Sequence, residues 1–191
     1  MSQSEADRWD AKYQNERESW LAQEPRHLLT ANAFLLPGKG KALDAASGVG
    51  TSAIFLAQHG LQTYALDISE YALRQAKKRA EAAGLVLEAA VTDLSKPWLP
   101  DNYFDVILNF HFLERATIPF YRRTLKSGGL IFFHTFCKRP GQTEDRIYYL
   151  EPGELIGWFN DYEVINYTEE DSLLIENSKE RSYAQLIARK P

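Results

Sequence analysis

Residues 43–51 decide the fold of this chain, and they read Leu43-Asp44-Ala45-Ala46-Ser47-Gly48-Val49-Gly50-Thr51. A short apolar run leads into a turn with two glycines, and a helical segment follows from about Thr51 to Gln58. Glycine permits a tight turn and a close approach of the backbone to a ligand. The first N–H groups of a helix attract an anionic group. The stretch therefore predicts a strand, a ligand-binding turn and a helix in immediate succession.

The same alternation of short apolar runs and helices continues along the chain. It predicts the strands 42–46, 63–67, 86–91, 104–110 and 130–136. This order is typical of a parallel sheet that is covered on both faces. Residues 163–167 and 183–188 alternate like an antiparallel pair at a sheet edge. We therefore expect an α/β fold: a doubly wound, seven-stranded, mostly parallel, Rossmann-like sheet with an antiparallel edge strand.

The length of 191 residues suits one domain with a sizeable core. We predict a single domain over 1–191, in which N-terminal helices at 4–18 and 25–36 precede a Rossmann-like core over 40–191. Pro37 and Gly38 stop the second helix.

Composition excludes several classes of function. The formal charge is −4, from 22 Lys and Arg against 26 Asp and Glu, whereas nucleic-acid binders carry a basic surplus. The single cysteine, Cys137, can form neither an internal disulfide nor a cysteine cluster, and no His or Cys pair has metal-ligand spacing. The polar N-terminus and the absence of a long apolar run predict neither a signal peptide nor a membrane span. We expect a cytoplasmic protein that binds no nucleic acid, membrane or metal.

Two acids follow predicted strands, Asp67 after the second and Asp93 after the third. Ligands of parallel sheets bind beyond the carboxyl ends of the strands, so both acids are candidates for a ligand site. A helix cap is the alternative for Asp67, and a simple turn is the alternative for Asp93.

Two cofactors compete for the glycine turn. Residues 48–53 fit the dinucleotide pattern G-x-G-x-x-A, with Asp67 near the distance expected for a ribose contact, so an NAD-dependent oxidoreductase is one hypothesis. Asp44 favours another cofactor, because a carboxylate there repels a pyrophosphate but attracts the positive charges of S-adenosylmethionine. The chain also has no room for a second nucleotide-binding half and a substrate domain.

The stretch 42–50 resembles the first motif of class I S-adenosylmethionine-dependent methyltransferases, with Ala46 where the first glycine is usual. Residues 65–69, 92–94, 105–109 and 125–130 resemble the later motifs, so the resemblance spans about residues 40–136. It implies a cofactor site that combines motif residues with an N-terminal pair, Trp9 and Tyr13, which resembles family segments that close over the site. The implied cofactor-binding residues are Asp44, Ala46, Gly48, Gly50, Asp67, Ile68, Asp93, Leu94, Asn109, Trp9 and Tyr13.

Within that implied site the resemblance gives several residues a role. Asp67 accepts hydrogen bonds from the ribose hydroxyls, Ile68 packs on the adenine, and Asp93 meets the adenine amino group. Asn109 ends the fourth motif beside the sulfonium. Residues 113–115, 128–136 and 150–155 are also similar to the small tellurite-resistance-type branch, which implies a small inorganic, metalloid or thiol acceptor.

Methyl transfer is an in-line displacement from an activated leaving group, so orientation and the exclusion of water carry most of the catalysis. A base is needed only where the nucleophile arrives protonated. His111, directly after the fourth strand, and Arg115 are the candidate catalytic residues. We predict a methyltransferase for a small-molecule acceptor. A non-catalytic module that binds S-adenosylmethionine is a third hypothesis, for which Ala46 is the only sequence support.

Overall fold

The computed structural model describes residues 3–139, 148–172 and 181–191. Its single sheet contains β1 (Lys41–Ala45), β2 (Gln62–Asp67), β3 (Leu87–Val91), β4 (Phe104–Phe110), β5 (Leu125–Cys137), β6 (Glu163–Ser172) and β7 (Arg181–Arg189). The helices of this part of the chain are α1 (Gln3–Asn15), α2 (Arg17–Leu21), α3 (His27–Thr30), α4 (Thr51–Gln58), α5 (Glu70–Ala82), α6 (Ile118–Thr124) and α7 (Glu154–Trp158).

The strand order is β3-β2-β1-β4-β5-β7-β6. Strands β1 to β5 are parallel, and β7 runs antiparallel to both β5 and the outermost strand β6. The predicted α/β class, seven strands and antiparallel pair at one edge are therefore confirmed. The direction of chain progression reverses between β1 and β4, and ligands of such sheets bind at this switch point, beyond the carboxyl ends of the strands.

The central strands bury both of their faces, which explains their continuous apolar runs. In β5, Ile131 and Phe133 pack into the core on one face, and Leu130 and Phe132 pack on the other. These four side chains are shielded from water on both faces of the sheet, since each is at most 3% exposed. The sheet therefore fixes the strand ends that carry the polar residues.

The N-terminal segment differs from the sequence-based prediction. The helix expected at 25–36 is instead the short α3 and a 3₁₀ turn at Ala33–Leu35. The side chain of Asn32 donates a 2.9 Å hydrogen bond to the carbonyl of Leu28, so it takes an acceptor that a continuing helix would use. The helix expected at 4–18 is divided into α1 and α2. None of the helices in the described ranges is long and apolar enough to cross a membrane.

Candidate active site

A cavity of about 370 Å³ lies at the carboxyl ends of β1 to β4 and under the N-terminal helices. It brings together most of the residues that the sequence predicts for a site. Those that line it are Trp9, Tyr13, Asp44, Ala46, Gly48, Asp67, Ile68, Asp93, Leu94 and His111.

Asp44 is the most unusual group in this cavity. It is 3% exposed, and its Oδ2 has no hydrogen-bond partner among the described residues. Burial raises the pKa of Asp44 to about 7, and the neighbouring Asp67 contributes to the rise. A buried carboxylate oxygen without a partner is costly unless a ligand satisfies it. The site is therefore suited to a cationic group next to Asp44.

Asp67 links the end of β2 to the glycine turn. Its Oδ2 accepts a 2.8 Å hydrogen bond from the amide of Gly48, and its Oδ1 accepts a 2.9 Å bond from the amide of Ser69. Burial raises the pKa of Asp67, and these two amides oppose that rise. Each carboxylate oxygen retains a second lone pair for a ligand. Asp67 therefore both shapes the turn and presents acceptors to the cavity.

The glycine turn contains a non-glycine residue in a left-handed conformation. Ala46 has φ 55°, beside Gly48 with φ 53° and Gly50 with φ 76°. Alanine tolerates this region at a cost of roughly 1–2 kcal/mol, so the turn keeps its shape although it lacks the first glycine of the motif. Gly50 does not line the cavity, and its contact with the cofactor stays a prediction. A Cβ at Gly50 would instead lie 2.6 Å from the Cβ of Ala76, so this glycine allows the turn to pack on α5.

Helix α1 closes on the same turn. A Cβ at Gly48 would lie 2.7 Å from the hydroxyl oxygen of Tyr13, so the side chain of Tyr13 fits only over a glycine. Burial, together with Asp67 and Asp44, raises the pKa of Tyr13. The ring of Trp20 lies 4.8 Å from that of Tyr13, and Trp9 lies 5.8 Å from it. All three of these residues line the cavity.

Asp10 fastens α1 to the start of α5. Its Oδ1 accepts hydrogen bonds from the hydroxyl of Ser69 at 2.5 Å and from the amide of Tyr71 at 3.1 Å. An anion is stabilised at this position because the first N–H groups of a helix point toward it. The four-residue spacing of Trp9 and Tyr13 marks them in the sequence. Nothing in the sequence indicates that Asp10 accepts hydrogen bonds from Ser69 and Tyr71.

The loop after β3 supplies Asp93 and Leu94. A local turn uses part of the hydrogen-bonding capacity of Asp93, because the amide of Ser95 donates to its Oδ1 at 3.0 Å. Hydrogen bonding to Ser95 also lowers the pKa of Asp93. Leu94 is buried, and its carbonyl accepts a 2.6 Å hydrogen bond from the hydroxyl of Thr117. This loop is therefore tied to the segment that follows β4.

Asn109 does not line the cavity, and its place beside the cofactor stays a prediction. Its amide donates to the carbonyl of Phe112 at 2.8 Å, and its Oδ1 accepts the hydroxyl of Tyr121 at 3.0 Å. Asn109 is 1% exposed, so both bonds are shielded from water. The residue therefore holds the turn after β4, on which His111 faces the cavity.

Arg115, the second candidate catalytic residue, lies outside the cavity lining. Its guanidinium forms two hydrogen bonds to Glu154, at 2.6 and 2.8 Å, and donates to the carbonyl of Tyr149. A bidentate pair of this kind fixes geometry. Arg115 therefore connects the turn after β4 to α7.

Several lining residues were not predicted as site residues. They come from segments far apart in the sequence and include Trp20, Arg26, Phe110 and Phe112. No motif marks them, because each belongs to a stretch whose pattern is that of an ordinary helix, strand or loop. A contact with the cavity arises only when the sheet brings these segments together.

The sheet order, the glycine turn and the acids at neighbouring strand ends resemble those of class I S-adenosylmethionine-dependent methyltransferases. Residues 43–133 match the model of a family described as a methyltransferase domain. The chain is 35% identical over 116 residues to the ubiquinone/menaquinone biosynthesis C-methyltransferase UbiE of Cupriavidus taiwanensis, an alignment that covers 56% of this chain and 47% of that protein. The chain thus spans about half the length of the curated relatives it matches.

Solved structures support the same fold. TehB from Haemophilus influenzae superposes with a TM-score of 0.78 at 19% identity, over 96% of this chain and 67% of that one. An S-adenosylmethionine-dependent methyltransferase from Methanosarcina mazei superposes with a TM-score of 0.67 at 19% identity, over 88% and 99%. At 19% identity, the similarity of this chain to these two structures concerns the fold alone.

Proposed function

We propose that this chain is an enzyme that transfers the methyl group of S-adenosylmethionine to a small-molecule acceptor. The proposal rests on Asp44. This residue lines the cavity, and its buried Oδ2 has no hydrogen-bond partner among the described residues. S-adenosylmethionine is cationic at its ammonium and sulfonium groups, and a carboxylate in a shielded cavity attracts such charges strongly.

The remaining residues of the cavity fit the other parts of the cofactor. Asp67 has acceptor lone pairs for the ribose hydroxyls, and Ile68 offers an apolar surface to the adenine. Asp93 adds an acceptor for the adenine amino group. Ala46 and Gly48 bring the backbone close to the ligand, and no bulky side chain of the turn obstructs it. When bound, the cofactor supplies a methyl group on a good leaving group.

The chain itself supplies orientation and the exclusion of water. Trp9, Tyr13 and Trp20 shield the cavity, and the bonds from Asp10 to Ser69 and Tyr71 keep α1 in place. His111 faces the acceptor at the end of β4. Arg115 is a positioning residue in this proposal, because its pair with Glu154 fixes the segment after His111. Orientation of this kind is worth up to ~7–11 kcal/mol of barrier.

The first experiment is thermal unfolding with S-adenosylmethionine, S-adenosylhomocysteine and NAD, each alone. A ligand that binds only the folded state adds about 2.7 kcal/mol at a hundredfold excess over its dissociation constant. We expect both sulfur compounds to raise the midpoint and NAD to leave it unchanged. A rise with NAD alone would overturn the proposal, and binding of S-adenosylhomocysteine without turnover of any acceptor would support the non-catalytic module.

A further inference from the structure

In the proposed function, on which this inference rests, one part of the cavity binds the cofactor and the other part, here called the acceptor half, binds the methyl acceptor. Among the residues that line the cavity, Phe110, His111 and Phe112 lie at the carboxyl end of β4, and Tyr148 and Arg26 line it as well. We call these five residues the acceptor wall. Four of the five carry planar rings, and the fifth carries a planar cation. Such surfaces favour a flat partner, because aromatic rings stack and guanidinium groups stack on aromatic faces.

The backbone of His111 is held in a conformation that costs energy. Its φ is 54°, in the left-handed region, which a non-glycine residue occupies only where the surroundings enforce it. The amide of His111 donates a 2.8 Å hydrogen bond to the carbonyl of His134. The buried bonds of Asn109 to Phe112 and Tyr121 fix the same turn. The fold therefore presents the imidazole of His111 to the cavity at a definite place.

Three further rings support that imidazole from behind. The ring centroid of His111 lies 4.8 Å from that of His134, 5.4 Å from that of Phe136 and 5.8 Å from that of Tyr183. His134 and Tyr183 are stacked on each other at 4.9 Å and 15°. None of these three rings lines the cavity. They pack as a layer behind the acceptor wall and restrict how the ring of His111 can turn.

The charge of this half differs from that of the cofactor half. Burial lowers the pKa of His134 to about 4, and the positive charge of Arg26 contributes to the fall. His134 is therefore neutral near pH 7, and Nδ1 of its ring has no hydrogen-bond partner among the described residues. Burial and the charge of Arg26 also disfavour a further cation here while the sulfonium is present, so a neutral acceptor fits this half better than an alkylammonium ion.

We propose that the acceptor is a small planar aromatic compound with an acidic hydroxyl group, and that His111 takes its proton. The acceptor oxygen forms a bond to the methyl carbon while the bond from that carbon to sulfur breaks, and the electron pair of the broken bond stays on sulfur. The O–H bond breaks, and its proton passes to an imidazole nitrogen of His111. The positive charge of the sulfonium is thereby replaced by that of the imidazolium, so the net charge in the cavity is unchanged.

Oxygen is assigned as the nucleophile because of the groups that meet it. Arg26 and His111 are strong hydrogen-bonding partners for a phenol or phenolate oxygen, whereas a thiol is a weak donor and acceptor. Arg26 also stabilises the developing phenolate.

The test is a matched acceptor panel with the whole chain, after S-adenosylhomocysteine binding has been measured by calorimetry. Catechol and 4-hydroxybenzoate are compared with their saturated counterparts, cyclohexane-1,2-diol and 4-hydroxycyclohexanecarboxylate, and with dithiothreitol and selenite. Methylated product is measured by mass spectrometry. We expect kcat/KM to be at least about tenfold higher for an aromatic compound than for its saturated counterpart. Equal rates for the two, turnover of dithiothreitol or selenite alone, or no turnover of either aromatic compound would each overturn the assignment.

Failure of the acceptor assignment and failure of the proposed function have different signatures. A chain that binds S-adenosylhomocysteine but methylates only dithiothreitol or selenite keeps the proposed function and loses this acceptor class. A chain that does not bind S-adenosylhomocysteine loses both.

Two variants separate the proton-accepting role of His111 from its role in the wall. His111→Phe keeps a ring and removes the base, so we expect a kcat about 100-fold lower with a KM for catechol that is nearly unchanged. His111→Asn suits the left-handed backbone but removes the ring, so both kcat and KM should worsen. The control is His59→Phe on the exposed end of α4, which should match the parent chain. A His111→Phe variant with the kcat of the parent chain would show that the imidazole takes no proton.

Discussion

The two halves of the cavity are built in opposite ways. The cofactor half is acidic and consists of strand ends that follow one another along the chain, with Asp44 on β1, Asp67 on β2 and Asp93 after β3. The acceptor half is aromatic, carries Arg26, and gathers its side chains from the connection between α2 and α3, the end of β4 and the segment before α7.

This difference separates the part of the cavity that the sheet fixes from the part that the connections around the sheet supply. The acids depend on the sheet alone, because the parallel strands end at one edge and place them together. The acceptor wall depends on the connections around the sheet, which tolerate change more readily than strands do. Substitutions in one half should therefore leave the other half unaffected, and the four predictions that follow test this separation.

The largest effect is expected for Asp67→Ala. The change removes the acceptor for the amides of Gly48 and Ser69 as well as an acidic group of the cavity, so affinity for S-adenosylhomocysteine should fall at least about 100-fold. Isothermal titration calorimetry gives the affinity, and Asp101→Asn, at a surface pair with Arg123, is the matched control. Affinity within threefold of the parent chain would contradict the assigned role.

Asp44 should make cofactor binding dependent on pH. Its pKa is about 7 in the folded chain, so ligand binding to the carboxylate must displace a proton below that pH. We expect the dissociation constant of S-adenosylhomocysteine to rise up to about tenfold for each pH unit between 7 and 5.5. Calorimetry at several pH values measures this slope.

The matched variant is Asp44→Asn, which should bind more weakly near pH 7 and lose most of the slope. The same group affects stability without ligand. Because its pKa is higher in the folded than in the unfolded chain, the folded state binds the proton more tightly, and this contribution to stability is lost as pH rises from about 4 to about 7. A slope identical in the parent and Asp44→Asn chains would assign the pH dependence to another group.

Arg26→Gln tests the acceptor half by itself. With the cation removed, the KM for catechol should rise about tenfold, since a charged hydrogen bond is worth roughly 1.5–3 kcal/mol. The dissociation constant of S-adenosylhomocysteine should stay within about twofold. Arg74→Gln, on the exposed face of α5, is the control. A change in cofactor affinity as large as the change in KM would show that the two halves are not separable.

Ala46→Gly has the smallest expected effect and acts on stability. Glycine removes the strain of the left-handed backbone but is more flexible in the unfolded chain, so we expect a net gain of about 0.5–1 kcal/mol in the free energy of unfolding. Urea unfolding measures it. The same change at Ala57, inside α4, should instead cost about 1 kcal/mol. A loss at both positions would mean that Ala46 is not strained.

A motif fixes both a residue and its place on a strand, so the sequence could place Asp44, Gly48 and Asp67 at neighbouring strand ends, and all three line the cavity. The sequence could not show which of the predicted residues also have structural partners. Asn109 is engaged by Phe112 and Tyr121, and the sequence gives no sign of this because those partners follow it by three and twelve residues with no recognisable pattern.

The acceptor half was harder to predict for a different reason. His111 could be found because it directly follows a strand, whereas Arg26 comes from a segment that the sequence indicates to be an ordinary helix. The ring layer behind the acceptor wall depends on the register of β5 with β7, which pairs Phe136 with Tyr183. The alternation of apolar residues predicts both strands but not which residues of the two strands meet.

The position of β7 has a consequence for how the chain is made. Strand β6 pairs only with β7 in the described sheet, and β7 follows it in the sequence. During synthesis, β1 to β5 emerge first and can assemble with the three cavity acids already at their places. Strand β6 then has no neighbour in this sheet until β7 has been synthesised and has inserted between β6 and β5. Until that moment the edge of β5 is exposed, so β7 is the strand that protects the nascent sheet from pairing with other chains.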